Sequence, residues 1–400
     1  MSTPQSSKPW PKVQIPDAEF AERRRRAQEL ARAKGLDGLI VCSRGGGTTD
    51  RYADVLYLAN FYTSYPFTPD LAPHWTGRAH SFLVLPVGDP GLLVADIPYL
   101  QGVAMPADRI EKTDNVIESV AAALQRFGLA RGRVGLVGED VLPTSMYQAL
   151  TRALPDLKVE PADAILAELR RFKSPAEIDR LRASAKLGSR MLDAMMQAAV
   201  PGATHGDVVA AGMQVLVPAG GMLYNSFMAS GTGGDEPTVH RSTFPTWRSD
   251  VPLKKGMWLR LGISGILDGY YFDVSRARPI GPPTNRQIDA FEAAIATVQT
   301  GIERTRVGTT AGAIAEAGLK KQVDMGYPLE GVFSGLGHGL GMGWDTPWLV
   351  PGEPTVIKPG MVLNFERTLS RDGYLGDFEE TILVGENGIE LLTDAKLRYW

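Results

Sequence analysis

The chain has 400 residues, a formal net charge of −3 and a hydrophobic fraction of 44%. Its length suggests two domains, and its nearly balanced charge excludes a general surface for nucleic acid. No apolar run approaches the ~20 residues that cross a bilayer, which excludes a membrane span. The single cysteine, Cys42, has no partner for an intrachain disulfide, and the N-terminus lacks the apolar core of a secretory signal. We therefore expect a cytoplasmic protein.

The first sixteen residues, MSTPQSSKPWPKVQIP, are polar and rich in proline, which predicts a loose arm. Residues 17–34 then have the periodicity of an amphipathic helix, and the segment from Leu36 to Cys42 has a strand pattern. Further strand and helix patterns alternate up to about residue 165. This alternation over ~150 residues predicts an α/β domain that spans residues 15–165.

Within this domain, an aromatic and proline-rich loop follows the segment DVLYLANF and extends from residue 61 to residue 80. A loop of this composition either packs on the surface of its own domain or contacts a ligand. Both interpretations remain open from the sequence. The side chains suited to recognition are Tyr65, Phe67, His74, Trp75 and Arg78.

The pattern changes at residues 161–200, which have an almost continuous helical periodicity. A break at Ser174 indicates a helix start, because Ser174 can cap the helix, Pro175 suits its first turn and Glu177 can complete a capping box. We expect a second, α+β domain that spans residues 166–400. Its further helix patterns alternate with strand-like segments and lie at residues 205–217, 285–304 and 310–325.

The segment from Gly256 to Arg276 contains two apolar runs joined by a short turn with glycine and aspartate, which predicts a β-hairpin. Its second strand carries Asp273. A carboxylate in an apolar strand is at least half buried and needs a cation or several hydrogen-bond donors. The simplest interpretation is an ion pair of Asp273 with Arg276 or Arg278.

Three further residues share this unusual setting. His338 is flanked by glycines in GLGHGLGMGWDTP, Glu366 interrupts the apolar strand of GMVLNFERT, and Glu379 precedes an apolar strand in GDFEETILV. Each residue alone has an ordinary structural explanation. Three carboxylates and a histidine buried together, however, require a cation. This mixture of ligands suits Mn, Fe, Co or Zn.

From about residue 165 to 395, the chain resembles the pita-bread family, which includes methionine aminopeptidase, aminopeptidase P, prolidase and creatinase. The first half resembles the creatinase/prolidase-type N-terminal domain, because DVLYLANF is similar to its strand and turn motif. RFKSPAEIDRLR is similar to the helix that joins the two halves. The resemblance implies an α/β N-terminal creatinase-like domain followed by an α+β pita-bread catalytic domain.

In that family, two aspartates, one histidine and two glutamates hold a two-metal centre. The resemblance assigns the second aspartate to Asp273, the histidine to His338, and the glutamates to Glu366 and Glu379. It also assigns to His240 the catalytic histidine that handles the proton of the substrate amide.

The chain departs from the family pattern at two places. The first aspartate of the family lies in a D-x-G motif, and this chain has R-L-G at residues 260–262, so that Arg260 stands in the place of the acid. We expect the following loop to be two residues longer, which makes Asp268 an alternative ligand. Seven residues after His338, Asp345 replaces the substrate-facing histidine of the aminopeptidase P type.

A guanidinium beside the site repels a second dication by roughly several kcal/mol. Two states follow: one divalent ion on the four remaining ligands, or a metal-free acidic pocket of the creatinase kind. We favour the single ion, because all four ligands of one site remain. The candidate catalytic residues are His240, Glu366 and Asp345. With one ion, we expect His240 to pass a proton to the leaving nitrogen; without an ion, His240 would act as both base and acid, and Glu366 and Glu379 would position a cationic group. Asp345 would be the base of a lyase, and Arg260 would orient a substrate carboxylate or stabilise an oxyanion.

We expect the chain to hydrolyse a non-peptide C–N bond of the amide or amidine type in a small molecule, as creatinase and ectoine hydrolase do. The alternatives are an Xaa-Pro dipeptidase or aminopeptidase, a lyase with Asp345 as its base, and a non-catalytic binding paralogue. By analogy with creatinase-like dimers, we expect a homodimer. In such a dimer Tyr65, Trp75 and Arg78 of one subunit would cover the site of the other and bind its substrate.

Overall fold

The computed structural model describes residues 10, 12–45, 51–69, 71, 78–234, 238–239, 247–329 and 333–400. The chain forms two compact units. One unit consists of residues 14–170, and the other combines the residues up to Val13 with residues 171–400. None of the helices in these described ranges is long and apolar enough to span a membrane.

The N-terminal unit has a mixed sheet and several helices, which confirms its predicted α/β class. Its helices are α1 (Asp17–Ala33), α2 (Ala53–Ala59), α3 (Val116–Arg126), α4 (Thr144–Ala153) and α5 (Asp163–Arg171). Its strands are β1 (Gly38–Arg44), β2 (His80–Pro86), β3 (Leu92–Ala95), β4 (Ile110–Lys112), β5 (Arg133–Val137) and β6 (Lys158–Pro161). The strand order is β4-β3-β2-β1-β5-β6, in which β1, β5 and β6 are parallel and β2 is antiparallel to both of its neighbours.

The segment DVLYLA of this unit is helix α2, and the strand that the resemblance implied is wrong. The helix buries Val55, Tyr57 and Leu58 and packs against α1 and β1. It ends at Asn60, which adopts the left-handed conformation with φ 51°. A short apolar run has too few residues to distinguish a helix from a strand by periodicity. The packing of this segment against α1 and β1 therefore determines that it is helical.

The C-terminal unit has an antiparallel sheet covered by long helices, as expected for the pita-bread fold. Its helices are α6 (Pro175–Ala198), α7 (His205–Leu216), α8 (Asn285–Arg304) and α9 (Ala311–Asp324). Its strands are β7 (Met222–Gly231), β8 (Thr238–Val239), β9 (Trp258–Leu267), β10 (Tyr270–Pro279), β11 (Gly337–Leu340), β12 (Trp344–Trp348), β13 (Val362–Arg371), β14 (Tyr374–Val384) and β15 (Ile389–Leu391). The described strands follow the order β12-β11-β13-β14-β10-β9-β7-β8, and β15 pairs with β14. Helix α6 packs on β9 and β10, and α8 packs on β13 and β14.

Helix α6 begins with the predicted capping box, in which Ser174 and Glu177 exchange hydrogen bonds between side chain and backbone. Glu177 also accepts a hydrogen bond from the Tyr270 hydroxyl at 3.1 Å. Gly188 lies directly on Phe272, and a Cβ atom at Gly188 would be 2.5 Å from that ring. These contacts fix α6 on β10.

Strands β9 and β10 form the predicted hairpin. Its turn consists of Asp268 and Gly269, with φ values of 47° and 86°. Two turn residues at positive φ suit a tight hairpin whose strands twist right-handedly. The pairing is continuous up to Leu267 and Tyr270, so only Asp268 and Gly269 lie between the two strands. The expected longer loop is therefore wrong, and Asp268 lies at the turn.

The segment that precedes α1 is attached to the C-terminal unit. The Arg190 guanidinium lies 4.9 Å from the centre of the Trp10 ring. Arg180 Nε donates a hydrogen bond to the carbonyl oxygen of Val13 at 2.9 Å. The prediction of a loose arm is therefore wrong for these anchored positions, and residues 1–9 lie outside the described residues.

Candidate active site

The central strands of the C-terminal sheet place Asp273 and His338 in one row. Asp273 on β10 lies opposite Ser264 on β9. On the other side of β10, Thr381 of β14 donates a hydrogen bond from Oγ1 to the Asp273 carbonyl oxygen at 3.3 Å. Thr381 lies opposite Asn364 on β13, and Asn364 lies opposite His338 on β11. The row therefore crosses five strands.

The neighbouring row holds the two glutamates. Glu366 on β13 lies opposite Glu379 on β14. The Asn364 amide nitrogen donates to Glu379 Oε1 at 2.8 Å. Side chains two residues apart on a strand lie on the same face. The structure thus brings both glutamates to the face that carries Asp273 and His338.

The His338 ring directs its Nε2 atom at two carboxylates. Its Nδ1 atom bonds to the carbonyl oxygen of Gly339 at 2.9 Å, so Nδ1 carries the proton of the neutral ring and Nε2 presents a lone pair. Nε2 lies 3.7 Å from Asp273 Oδ2 and 3.6 Å from Glu366 Oε1. These distances exceed a hydrogen bond. A lone pair that faces two carboxylate oxygens suits a cation between them.

Burial dominates the electrostatics of this cluster. It raises the pKa of Asp273 to about 6, although the adjacent His338 opposes the shift. Burial, together with the charges of Asp273 and Glu366, raises the pKa of Glu379 well above its ordinary value. Burial and the charge of Asp377 raise the pKa of Glu366, and burial lowers that of His338. Burial therefore makes these three carboxyl groups hold their protons more tightly than exposed ones do.

Neutral side chains bind both carboxylate oxygens of Asp273. Ser264 Oγ donates to Oδ1 at 2.8 Å, and Trp344 Nε1 donates to Oδ2 at 2.7 Å. The ion pair with a downstream arginine is therefore wrong. The two arginines bind elsewhere, Arg276 to Glu380 and Arg278 to the carbonyl oxygen of Met196.

Arg260 contacts an acid other than Asp273. It lies four residues along β9 from Ser264, and its Nε donates to Asp377 Oδ2 at 2.9 Å. Its guanidinium also lies 4.7 Å from the centre of the Phe227 ring. Arg260 therefore belongs to the edge of the cluster, and its charge is balanced by Asp377.

The face of β9 that is directed at the cluster lacks a carboxylate throughout the described strand. Alternate residues share this face: Arg260 brings a guanidinium, Gly262 has no side chain, and Ser264 brings a hydroxyl. The first aspartate of the family could correspond to Arg260, Gly262 or Ser264. None of these three residues supplies a carboxylate. Asp268 does not replace it, because it lies at the turn.

Asp345 has a buried cation as its neighbour. Its Oδ2 lies 3.4 Å from Lys173 Nζ. The preceding residue, Trp344, packs on the His338 ring, and successive strand residues point to opposite faces. The side chain of Asp345 therefore lies on the opposite face of β12 from Trp344, where it pairs with Lys173, and its charge still opposes the lowering of the His338 pKa. Its catalytic role stays a prediction.

Four further predicted site residues are His240, Trp75, Tyr65 and Arg78. His240 and Trp75 fall outside the described residues. Tyr65 and Arg78 belong to the N-terminal unit, where the Arg78 guanidinium lies 5.2 Å from the centre of the Tyr65 ring and pairs with Asp114. The roles assigned to these four residues stay predictions.

Two indoles beside His338 were not predicted. The rings of Trp344 and Trp348 lie 5.8 and 5.5 Å from the His338 ring, centre to centre. The motif WDTPW contains both, but only the pairing of β11 with β12 brings them to His338. Asn364 was also missed, although an amide within the apolar segment VLNFE was an available signal.

The chemistry of the donor set fits one first-row divalent ion. The described residues contain no group of three or more His, Cys, Asp or Glu side chains that already has the geometry of a metal site. Three carboxyl groups and one imidazole lone pair nevertheless lie on one face of the sheet, and first-row divalent ions accept this mixture of ligands. Ser275 Oγ is also buried, and among the described residues it has no hydrogen-bond partner. It lies on the same face of β10 as Asp273.

Comparison with known families covers both units. The model of metallopeptidase family M24 matches residues 179–387. The chain belongs to metallopeptidase family M24. The model of the creatinase/prolidase N-terminal domain matches residues 23–172 of this M24 chain, which confirms the resemblance found in the motifs.

Individual relatives of this M24 chain are distant in sequence and close in fold. It is 26% identical to an ectoine hydrolase of Halomonas elongata over 279 residues, which is 65% of this chain and 68% of the relative. It is 24% identical to an Xaa-Pro dipeptidase of Pyrococcus furiosus over 264 residues, 64% of this chain and 73% of that protein. The crystal structure of dipeptidase PepE from Mycobacterium ulcerans superposes with a TM-score of 0.75 at 24% identity and covers 96% of this chain and 98% of that one.

Proposed function

We propose that this chain hydrolyses a non-peptide C–N bond, of the amide or amidine type, in a small molecule. The observation that supports this proposal is the incomplete acid set of the cluster. Asp273, His338, Glu366 and Glu379 converge, whereas the facing strand β9 adds no carboxylate. This difference disfavours a two-metal peptidase centre, and an ectoine hydrolase is among the relatives of the chain.

The cofactor that we propose is a single divalent ion of Mn, Fe, Co or Zn. Asp273, His338, Glu366 and Glu379 would hold it, and when bound it would supply Lewis-acid polarisation of the scissile group. The alternative is a metal-free acidic pocket. The single ion is favoured because the His338 Nε2 lone pair faces carboxylate oxygens at 3.6 and 3.7 Å.

Among the described acids of the cluster, Glu366 is the carboxylate that water and substrate can reach. Its side chain is 34% exposed, whereas Asp273 and Glu379 are buried. In the proposed reaction Glu366 accepts a proton from the attacking water, and His240 gives a proton to the leaving nitrogen as the C–N bond breaks. Arg260, held by Asp377, orients a carboxylate of the substrate.

A second candidate function is an Xaa-Pro dipeptidase, which is favoured by the Pyrococcus furiosus relative. A lyase with Asp345 as base and a non-catalytic paralogue are the remaining alternatives. For the lyase, the contact of Asp345 with Lys173 offers no support. The proposal further includes a cytoplasmic homodimer, in which Tyr65, Trp75 and Arg78 contact the substrate of the other subunit.

The test combines metal analysis with turnover. Freshly purified protein is analysed by plasma mass spectrometry and assayed on cyclic amidines, small amides and Xaa-Pro dipeptides. We expect about one ion per chain, its loss in His338→Ala, and turnover of an amide or amidine that falls by about 100-fold or more in Glu366→Gln. Two ions per chain, or turnover of Xaa-Pro dipeptides alone, would refute the proposal.

A further inference from the structure

A buried arginine interrupts the apolar row on the helix-facing side of β13. Alternate residues of a strand share one face, and on this face they are Leu363, Phe365, Arg367 and Leu369. The three apolar residues belong to one core cluster together with residues of α8 and α9. Arg367 is only 3% exposed, and among the described residues its hydrogen bonds go to neutral oxygen atoms. A cation buried in this way depends on those hydrogen bonds to offset the loss of water.

The hydrogen bonds of Arg367 join separate segments of the C-terminal unit. Its Nε donates to Gln322 Oε1 on α9 at 2.6 Å, and its Nη1 donates to the carbonyl oxygens of Phe333 and Gly335 at 2.8 and 3.0 Å. Gln322 is completely buried, and its Nε2 donates to the carbonyl oxygen of Pro328 at 2.6 Å. We call Gln322 and Arg367 the buried clamp. The clamp holds described residues on both sides of the connection between α9 and β11.

The clamped connection leads directly to the candidate active site. Gly335 precedes His338 by three residues on the way into β11. The Phe333 ring lies 6.1 Å from the Trp348 ring in an edge-on arrangement, and the Trp348 ring lies 5.5 Å from the His338 ring. The backbone that the clamp holds therefore carries His338 and one of the rings that support its neighbour Trp348.

We propose that Gln322 and Arg367 are positioning residues, which fix the placement of His338 from the helix-facing side of the sheet. This inference rests on the proposed function and adds to it two residues that act through the backbone of Phe333 and Gly335. Misplacing a group at the reacting centre by about 1 Å can lower a rate by about 100-fold, even when the altered residue is remote from the chemistry. The clamp should therefore act on kcat more than on KM.

The test compares two buried glutamines of the C-terminal unit. Gln322→Met removes the hydrogen bonds of one half of the clamp and leaves every charge of the unit in place. The matched control is Gln287→Met. Gln287 is also completely buried, accepts a hydrogen bond from the backbone N–H of Thr284 at 2.9 Å and donates to the carbonyl oxygen of Gly256 at 2.9 Å. Its partners lie outside the clamped connection, so it loses equivalent bonds elsewhere.

Turnover is measured at a temperature at which circular dichroism shows all variants to be folded. We expect Gln322→Met to lower kcat by roughly tenfold or more, with KM changed by less than about twofold, and Gln287→Met to leave both constants unchanged. Equal kcat values in these two variants would overturn the inference.

A further variant separates the geometry of the clamp from its charge. Arg367→Lys retains the positive charge but replaces the planar fork of donors by a single ammonium group. We expect kcat to fall in Arg367→Lys as well, because an ammonium group cannot reproduce the separate directions of the Nε and Nη1 bonds. A wild-type kcat in Arg367→Lys would show that the charge alone is needed, and it would overturn the positioning role.

Failure of the inference and failure of the proposed function give different results. The kinetic comparison uses whichever substrate the wild-type chain cleaves, so turnover of Xaa-Pro dipeptides alone would remove the proposed function and still test the clamp. Amide hydrogen exchange of residues 333–340 needs no substrate. We expect faster exchange in Gln322→Met than in Gln287→Met, and equal exchange would overturn the inference whether or not C–N hydrolysis is found.

Discussion

The ion pair between Lys173 and Asp345 should be one of the most sensitive contacts in the C-terminal unit. The two side chains are 1% and 7% exposed, and their charged atoms are 3.4 Å apart. At that distance, with an effective dielectric constant of about 20, two unit charges attract by about 5 kcal/mol. Lys173→Met removes the ammonium from a buried carboxylate. We expect the free energy of unfolding to fall by about 3–5 kcal/mol.

The assay is urea unfolding followed by circular dichroism, with the stability change taken from the transition of the C-terminal unit. The matched control is Lys320→Met in the same unit, which breaks an ion pair with Asp324 in which Lys320 is 74% exposed, and should cost less than about 1 kcal/mol. The double variant Lys173→Met with Asp345→Leu should recover much of the loss, since both charges are gone. Equal small losses in Lys173→Met and Lys320→Met would refute the reasoning.

This double variant also tests the predicted catalytic role of Asp345. If Asp345 acts only through its pairing with Lys173, the double variant regains activity together with stability. A variant that is stable again but still inactive would support a chemical role for the carboxylate.

Three other predictions concern the charge of the cluster, the packing of α6 and the hydrogen bonds of Asp273. In ion-free protein, the raised pKa of Asp273 makes the folded state bind more protons than the unfolded chain between pH 4 and about 6. The free energy of unfolding should therefore fall over that range as pH rises. The accompanying fall in the melting temperature should be smaller in Asp273→Asn, and an identical pH dependence in the two proteins would contradict this prediction. Gly188→Ala places a methyl group on the Phe272 ring and should lower the free energy of unfolding in urea by about 1–3 kcal/mol. An unchanged midpoint of unfolding would show that α6 can move away from Phe272. Ser264→Ala removes a hydrogen-bond donor to Asp273 Oδ1. Calorimetry should then show a metal affinity altered by up to about tenfold with the fold retained, and an unchanged affinity would mean that Oδ1 takes no part in metal binding.

The sequence was sufficient to identify the residues of the cluster but not the distances between them. Carboxylates that interrupt apolar strands are a local signal, and this signal identified Asp273, Glu366 and Glu379. The position of Arg260 depends on the hairpin register, which is a property of paired strands. In the observed register Arg260 lies opposite Ala277, and its side chain binds Asp377.

Contacts between segments distant in sequence account for the features that the sequence did not predict. DVLYLA is a helix because of its packing against α1 and β1, which no short window of sequence contains. Trp344 reaches Asp273 across 71 residues of chain. Asp345 contacts Lys173 across 172 residues. Motif spacing placed Asp345 seven residues after His338, but it could not show to which face of β12 the side chain points.

The anchoring of Trp10 and Val13 has a consequence for dissecting this chain. The unit that holds the cluster is discontinuous in sequence, because residues 14–170 are inserted into it. Truncation before residue 171 would remove the carbonyl acceptor of Arg180 and the ring that covers Arg190. An independent catalytic fragment should therefore keep residues 10–13 joined by a linker to residue 171, and a simple N-terminal deletion should be the less stable of the two.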